Sequence, residues 1–200
     1  MAAVVLAGLL ILSLGGPVAS SDIDRFGVGN GRGPVGQSGR FVVAEAFAIG
    51  HEIGGHAVRT VGFNFQTYFY PLVETEAVAS PAESWTLGRS ADDATLIAMI
   101  GGERKVAFRL SALHRLIASG GSDKNGQSNF AYARSPVDGR LWAIHWTLDA
   151  ADEWVIGAVF VPHPDLDWPA GARFFAPKIG AEEQPPEQCS RARLVCLARP

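Results

Sequence analysis

Two histidines and a glutamate lie close together near residue 50, at His51, Glu52 and His56. Imidazole nitrogens bind zinc, and a carboxylate beside the metal can act as general base toward a zinc-bound water. On a helix, histidines at positions i and i+4 face one ion. Here the second histidine is at i+5, which carries it about 140° around an ideal helix from the first.

The segment from Arg40 to about Arg59 is predicted to be a distorted helix. A single-turn π-bulge absorbs an inserted residue, and such bulges occur mostly at functional sites. Gly54-Gly55 is where the backbone yields most easily. We therefore expect both imidazoles and the carboxylate to converge on one polar pocket. In the alternative interpretation, Glu52 and His56 are an i, i+4 polar pair on a helix surface.

A second helix is predicted over about residues 91–118, where apolar residues recur every three or four positions. Glu103 lies on this apolar stripe. Because an unpaired buried carboxylate is costly, such a group tends to be protonated, hydrogen-bonded or bound to metal. Glu103 is therefore a candidate third zinc ligand. The alternative is an ion pair with Arg104, Lys105 or Arg109 at the edge of the stripe.

His114 lies near the same stripe, further along the predicted helix. At a rise of 1.5 Å per residue it is roughly 16 Å from Glu103, so the two cannot bind one ion. The sequence favours a capped or core histidine at this position.

The stretch from Ala48 to Val58, with His-Glu-Ile-Gly-Gly-His at its centre, resembles the H-E-x-G-H-A-V helix of membrane-associated zinc metallopeptidases. These include the ATP-dependent membrane proteases and the site-2-type intramembrane proteases. The resemblance covers about a dozen residues and contains a one-residue insertion. Residues 97–103 loosely resemble the small, Gly-rich helix that follows the zinc helix in those families. The resemblance implies a zinc cofactor, a peptide or protein substrate, and peptide-bond hydrolysis with Glu52 as base.

The same resemblance implies Asp123 as the alternative third ligand. The ATP-dependent proteases take an aspartate from a Gly-rich loop after their second helix, and Asp123 lies in such a loop here. The predicted zinc ligands are thus His51, His56 and Glu103, with Asp123 in place of Glu103 as the alternative. The sequence contains no G-x-x-x-x-G-K-[ST] motif of an ATPase.

The N-terminal segment is predicted to be a signal peptide or a membrane anchor. Ala2 to Leu14 is almost unbroken apolar sequence and is followed by Gly-Pro and small residues. The run to Ala19 approaches the roughly 20 residues that span a bilayer. A buried N-terminal core helix is the remaining interpretation. We expect an exported or membrane-anchored protein, in which Cys189 and Cys196 are candidates for a disulfide.

Composition and spacing divide the chain into four parts. Of the 200 residues, 48% are hydrophobic and 18% charged, which suits one compact core. A net charge of -3 provides no basic field for nucleic acid, so that class of partner is not expected. The predicted parts are a signal or anchor (1–21), a Gly-rich linker (22–39), a single α+β domain (40–180) and a Pro-rich tail (181–200).

The domain is predicted to combine two main helices with a strand between them and a C-terminal antiparallel meander. Alternating apolar and polar residues predict the strand over residues 63–73, and residues 77–90 are expected to form a loop. The meander is expected over Asn129 to Val161, with a hairpin turn at Pro136 to Gly139. In its second strand, one face is predicted to carry Trp142, Ile144, Trp146 and Leu148.

Two alternatives to an active zinc peptidase stay open. One is a non-catalytic secreted or envelope binding domain, which needs no metal. The other is a degenerate peptidase scaffold without activity, which the one-residue insertion favours. Membrane association is expected from the N-terminal segment, and the sequence predicts no oligomeric state.

Overall fold

The computed structural model describes residues 23–27, 39–75, 81–120, 128–163 and 167–178, with the backbone alone described for 23–27. The predicted signal or anchor, most of the predicted linker and the predicted tail lie outside these residues. So do Asp123, Cys189 and Cys196, so those predictions stay predictions.

The described residues have a mixed α+β fold, which confirms the predicted class. The strands are β1 (Ile23–Gly27), β2 (Arg40–Val42), β3 (Glu52–Ile53), β4 (His56–Val61), β5 (Val73–Thr75), β6 (Ala82–Leu87), β7 (Ala107–Phe108), β8 (Asn129–Arg134), β9 (Leu141–Leu148), β10 (Trp154–Phe160) and β11 (Arg173–Pro177). The helices are α1 (Val43–Ala46), α2 (Phe63–Phe69), α3 (Asp93–Ile100), α4 (Glu103–Val106) and α5 (Leu110–Ala118). Within the described ranges, none of these helices has the length and apolar character needed to cross a bilayer.

In the described part of the chain, nine strands form one sheet in the order β1-β6-β11-β8-β9-β10-β4-β3, with β7 beside β8. Strands β2 and β5 form a separate antiparallel ribbon. Most pairs of the large sheet are antiparallel, while β10 with β4, β11 with β8 and β7 with β8 are parallel. The first strand, β1, lies inside the segment predicted to be linker and pairs with β6.

The predicted meander is confirmed as β8, β9 and β10, in the middle of this sheet. Its first turn also lies where the sequence placed it. Ser135 N donates to Arg140 O at 2.9 Å, and Gly139 adopts φ +70°, which suits glycine best. Because side chains alternate along a strand, Trp142, Ile144, Trp146 and Leu148 share one face of β9, and His145 lies on the other.

Both faces of the sheet are covered. One core contains the side of β9 that carries Trp146, together with residues of α1, α2 and α5. The other contains Phe130, Tyr132 and Phe174 under α3, α4 and the segment before β11. A sheet with a core on each face explains why β8 and β9 are almost wholly buried.

The predicted helix over residues 40–59 is wrong. Helix α1 covers only Val43–Ala46, and β3 and β4 form a β-hairpin around Gly54-Gly55. The two glycines have φ of +62° and +89°, and two-residue hairpin turns of type I′ require positive φ at both central positions. Ile53 and Val58 are buried, and β4 also pairs with β10.

The predicted strand over residues 63–73 is also wrong, because its first part is helix α2. Phe65 and Phe69 are fully buried and Phe63 is exposed. A spacing of four between buried aromatics fits one face of a helix as well as one face of a strand, so the alternation was ambiguous. The predicted loop at 77–90 contains β6, whose buried Trp85 and Leu87 belong to the second core.

The predicted helix over residues 91–118 is broken into α3, α4 and α5, with β7 before α5. Its predicted start is confirmed, since Asp92 caps α3 by accepting from Thr95 N at 2.7 Å. The first break is at Gly101, which ends α3 in the left-handed conformation at φ +96°. A second interruption follows at Ala107, where the backbone turns extended and β7 pairs with β8.

Candidate ligand pocket

The β3–β4 hairpin separates the residues that the sequence predicted to act together. Ile53 pairs with His56, and Glu52 pairs with Ala57. Because successive residues of a strand point to opposite faces, Glu52 lies on the face of the hairpin opposite to His56. The Glu52 side chain is exposed. The predicted convergence of Glu52 with His56 on one pocket is therefore wrong, and the reason is the two-residue period of a strand.

His56 is directed toward the β9–β10 turn. Its Nδ1 donates to the backbone carbonyl of Asp152 at 2.9 Å and lies 3.3 Å from Asp152 Oδ2. Its ring meets that of Trp154 edge to face, with centroids 5.6 Å apart. Trp154 is buried, and its Nε1 donates to Ile53 O at 2.8 Å, so the same tryptophan fixes the hairpin. The surroundings of His56 thus attach β3 and β4 to the sheet.

An ion pair beside His56 reinforces this attachment. Arg59 Nη1 on β4 donates to Asp149 Oδ2 at 2.6 Å. The backbone amide of Glu153 and the Arg59 guanidinium hold the pKa of Asp149 below its ordinary value. Asp149 also accepts from the amide of Ala151, so it orders the turn as well as pairing with β4.

Glu103 lies at the start of α4, in an exposed ion pair with Arg134, where Oε2 accepts from Nη2 at 3.0 Å. Its side chain is 58% exposed, so the expectation of a carboxylate within an apolar stripe is wrong. The alternative of an ion pair is the observed arrangement, although the cation comes from β8 and not from the neighbouring residues of the helix. Among the described residues, no group of three or more His, Cys, Asp or Glu side chains is arranged to hold a metal ion.

His51 faces a different environment from His56. Its backbone is held by the start of the hairpin, since His51 N donates to Ala48 O at 3.0 Å and Val58 N donates to His51 O at 2.8 Å. Its ring centroid is 6.2 Å from that of His114 on α5. Both imidazoles line one pocket of about 330 Å³. The lining residues are Arg40, Phe41, Val42, Glu45, Ala46, His51, Ser111, His114 and Arg115.

Helix α5 supplies three of these residues from one helical face. Ser111, His114 and Arg115 stand at i, i+3 and i+4, which are neighbours on a helix surface. The His114 ring packs edge to face against Phe41 and Phe47, with centroids 5.5 Å and 5.3 Å away. His114, predicted to be a capped or core histidine, is half-buried among aromatic rings at the edge of the core and forms part of the pocket wall.

Glu74 on β5 fixes the beginning of α5. Its carboxylate accepts from Leu110 N at 3.0 Å and from Ser111 N at 2.9 Å, two amides of the first helical turn. It also accepts from Ser111 Oγ at 2.5 Å. These bonds satisfy donors that a helix leaves unpaired at its N-terminus, and the negative charge suits that end of the helix dipole. The β2–β5 ribbon thereby sets the position of α5 against Arg40.

The pocket consists mostly of residues that the sequence analysis did not select. The spacing of Ser111, His114 and Arg115 on a helix with a strong apolar face was the available signal. No comparable signal marked Arg40 or Glu45, because only folding brings the ribbon and α1 next to α5.

Comparison of this chain with protein-family models, with curated proteins and with solved structures finds no match in any of the three.

Proposed function

We propose that this protein is a non-catalytic binding domain, and that its ligand occupies the pocket between the β2–β5 ribbon, α1, the start of the β3–β4 hairpin and α5. The observation that carries the proposal is this pocket, in which side chains from three separated segments (residues 40–46, His51 and residues 111–115) meet around a volume of about 330 Å³. That volume is at the lower end of the range of about 300–1,000 Å³ for sites that take small molecules.

The lining has the mixed character of a recognition site. Phe41, Val42 and Ala46 offer apolar surface, while the two histidines and two arginines offer hydrogen-bond donors. The pocket walls are held in place by the Glu74 cap on α5 and by the aromatic rings around His114. A rigid wall reduces the entropy that a ligand loses on binding.

Zinc-dependent peptide hydrolysis stays a prediction from the resemblance in residues 48–58. It requires a carboxylate beside the metal-bound water, and Glu52 lies on the opposite face of the hairpin from His56. This geometry is why we rank binding above catalysis. Export or membrane anchoring, which both interpretations share, also stays a prediction.

A fragment screen tests the binding proposal. From a library of varied shape and charge, we expect some compounds to shift the imidazole NMR signals of His51 and His114, with His56, which faces the β9–β10 turn and does not line the pocket, as an internal control. Filling the pocket with Ala46→Phe should abolish these shifts while the fold, measured by amide spectra, is kept. Fragments that bind Ala46→Phe as well as wild type, or that shift the His56 signal instead, would contradict the assignment of this pocket.

An assay for zinc and hydrolysis tests the competing interpretation. The binding proposal expects that protein purified without a histidine tag cleaves no unfolded protein substrate in the presence of zinc. A peptidase would instead show zinc-dependent cleavage that Glu52→Gln abolishes, and that result would replace the binding proposal.

A further inference from the structure

The charges around the pocket are unevenly distributed. Two guanidiniums, from Arg40 and Arg115, line it together with a single carboxylate, from Glu45. Guanidinium groups are protonated at any pH at which the protein is folded. The lining side chains therefore carry a formal charge of about +1 with both imidazoles neutral, although the whole chain has a net charge of -3.

Among the described residues, Glu74 is an acid beside the pocket that does little to offset this excess. Glu74 lies behind Ser111, is 9% exposed and already accepts two backbone amides and a hydroxyl. Its carboxylate also lies 3.8 Å from Arg109 Nε. Because these donors and the positive end of α5 offset its charge, Glu74 adds little negative potential inside the pocket.

From this lining we infer that the ligand is a small carboxylic acid with an apolar body. The inference rests on the proposed binding function and names the chemistry of the ligand. A guanidinium donates two parallel N–H bonds to a carboxylate, which gives both affinity and orientation. The imidazoles of His51 and His114 are further N–H donors, while Phe41, Val42 and Ala46 suit the apolar body.

A series of three compounds of one shape tests the charge of the ligand. Benzoate, benzamide and benzamidinium are anionic, neutral and cationic forms of nearly the same molecule, and inorganic phosphate is an anion without an apolar body. Each is titrated at low ionic strength into the full chain with labelled histidines. We expect benzoate to shift the His51 and His114 signals at the lowest concentration and benzamidinium to leave them unchanged.

Variants identify the cations that bind the acid. Arg40→Gln and Arg115→Gln should each weaken benzoate binding roughly tenfold, as expected for the loss of a charge-assisted hydrogen bond. The matched control is Arg104→Gln, because Arg104 is exposed on α4 and does not line the pocket. Equal effects at Arg104 and Arg115 would point to a general surface charge and would overturn the inference.

The outcomes separate the inference from the proposed function. If benzamide or benzamidinium binds as well as benzoate in the same pocket, the binding function stands and the carboxylate inference is wrong. If phosphate binds and benzoate does not, the apolar part of the inference is wrong. If no compound shifts either histidine, both the inference and the proposed pocket fail.

Discussion

At the scale of single residues, the three polar side chains of His51-Glu52-Ile53-Gly54-Gly55-His56 have three different surroundings. His51 lines the pocket, Glu52 is exposed, and His56 binds the carbonyl of Asp152. Residue type alone indicated metal chemistry, because histidine and glutamate are common zinc ligands. The directions in which these side chains point depend on the number of residues per repeat of the backbone, which is two in a strand and 3.6 in a helix.

Protonation of His145 should affect the stability of the protein near neutral pH. Burial lowers the pKa of its imidazole below the ordinary 6.5, and its ring lies so close to Gly157 that a Cβ there would come within 2.6 Å of Cε1. Below about pH 6.5 the unfolded chain therefore binds a proton that the folded chain excludes. This contribution to stability is complete above that pH and is lost as the pH falls.

We accordingly expect wild-type protein to lose more stability between pH 7.5 and 5.5 than His145→Gln, whose side chain does not titrate. Urea unfolding at the two pH values measures the difference. Equal losses in the two proteins would show that His145 titrates alike in the folded and unfolded chains.

At the scale of elements, the glycine pair decides between the helix predicted from the sequence and the observed hairpin. In a helix, replacing either glycine by alanine would stabilise the protein by about 1 kcal/mol. In the hairpin, both positions have positive φ, which costs a non-glycine residue about 1–2 kcal/mol. The helix therefore predicts that alanine at either position stabilises the protein, whereas the hairpin predicts that it destabilises the protein.

Gly54→Ala should be the more damaging of the two substitutions. Its Cβ would lie 2.7 Å from the Ala118 carbonyl oxygen at the end of α5, whereas a Cβ at Gly55 meets no atom within 4 Å. We expect a loss of about 2–4 kcal/mol for Gly54→Ala and about 1–2 kcal/mol for Gly55→Ala, measured by chemical unfolding. A gain in stability for either variant would contradict the hairpin.

The Glu74 cap gives a second prediction for an element. Glu74→Gln replaces the carboxylate that accepts hydrogen bonds from Leu110 N and Ser111 N with a neutral amide, and should cost about 1–3 kcal/mol because these bonds are largely shielded from solvent. The control Glu103→Gln breaks an exposed ion pair and should cost less than about 1 kcal/mol. Hydrogen exchange at the first turn of α5 should rise in Glu74→Gln alone. Unchanged exchange there would exclude Glu74 as the cap.

At the scale of the whole molecule, a buried carboxylate joins α3 to the sheet and to the segment before β11. Asp93 is 3% exposed, and its Oδ1 accepts from Tyr132 Oη at 2.7 Å and from Trp168 Nε1 at 2.9 Å. Burial and the charge of Asp93 raise the pKa of Tyr132, so the hydroxyl remains a protonated donor. A hydrogen-bonded carboxylate is stable in this core, whereas one lacking its donors would not be.

Tyr132→Phe should therefore destabilise the whole fold by about 1–3 kcal/mol, because it deprives a buried charge of a donor. Tyr70→Phe is the matched control, since its half-buried hydroxyl donates to the neutral Phe47 carbonyl at 3.2 Å and should cost about 0.5–1.5 kcal/mol. Thermal unfolding measures both. A smaller loss for Tyr132→Phe than for Tyr70→Phe would contradict the role given to Asp93.

The sequence by itself determined the α+β class and the β8-β9-β10 meander. In the meander, the alternation of apolar and polar residues, the turn residues between the strands and the burial of the strands in the sheet all favour antiparallel strands. It also determined the start of α3, where the Asp92 cap is a local interaction.

Only the tertiary structure decided the conformation of residues 40–69 and the site that they form. A helix and a hairpin both bury apolar residues of the stretch 48–58, and the parallel pairing of β4 with β10 gives the extended form a partner nearly a hundred residues away. The pocket depends on the same long-range contacts. Arg40, His51 and Arg115 line one pocket because Glu74 holds α5 against the β2–β5 ribbon. No local sequence pattern predicts this contact between distant segments.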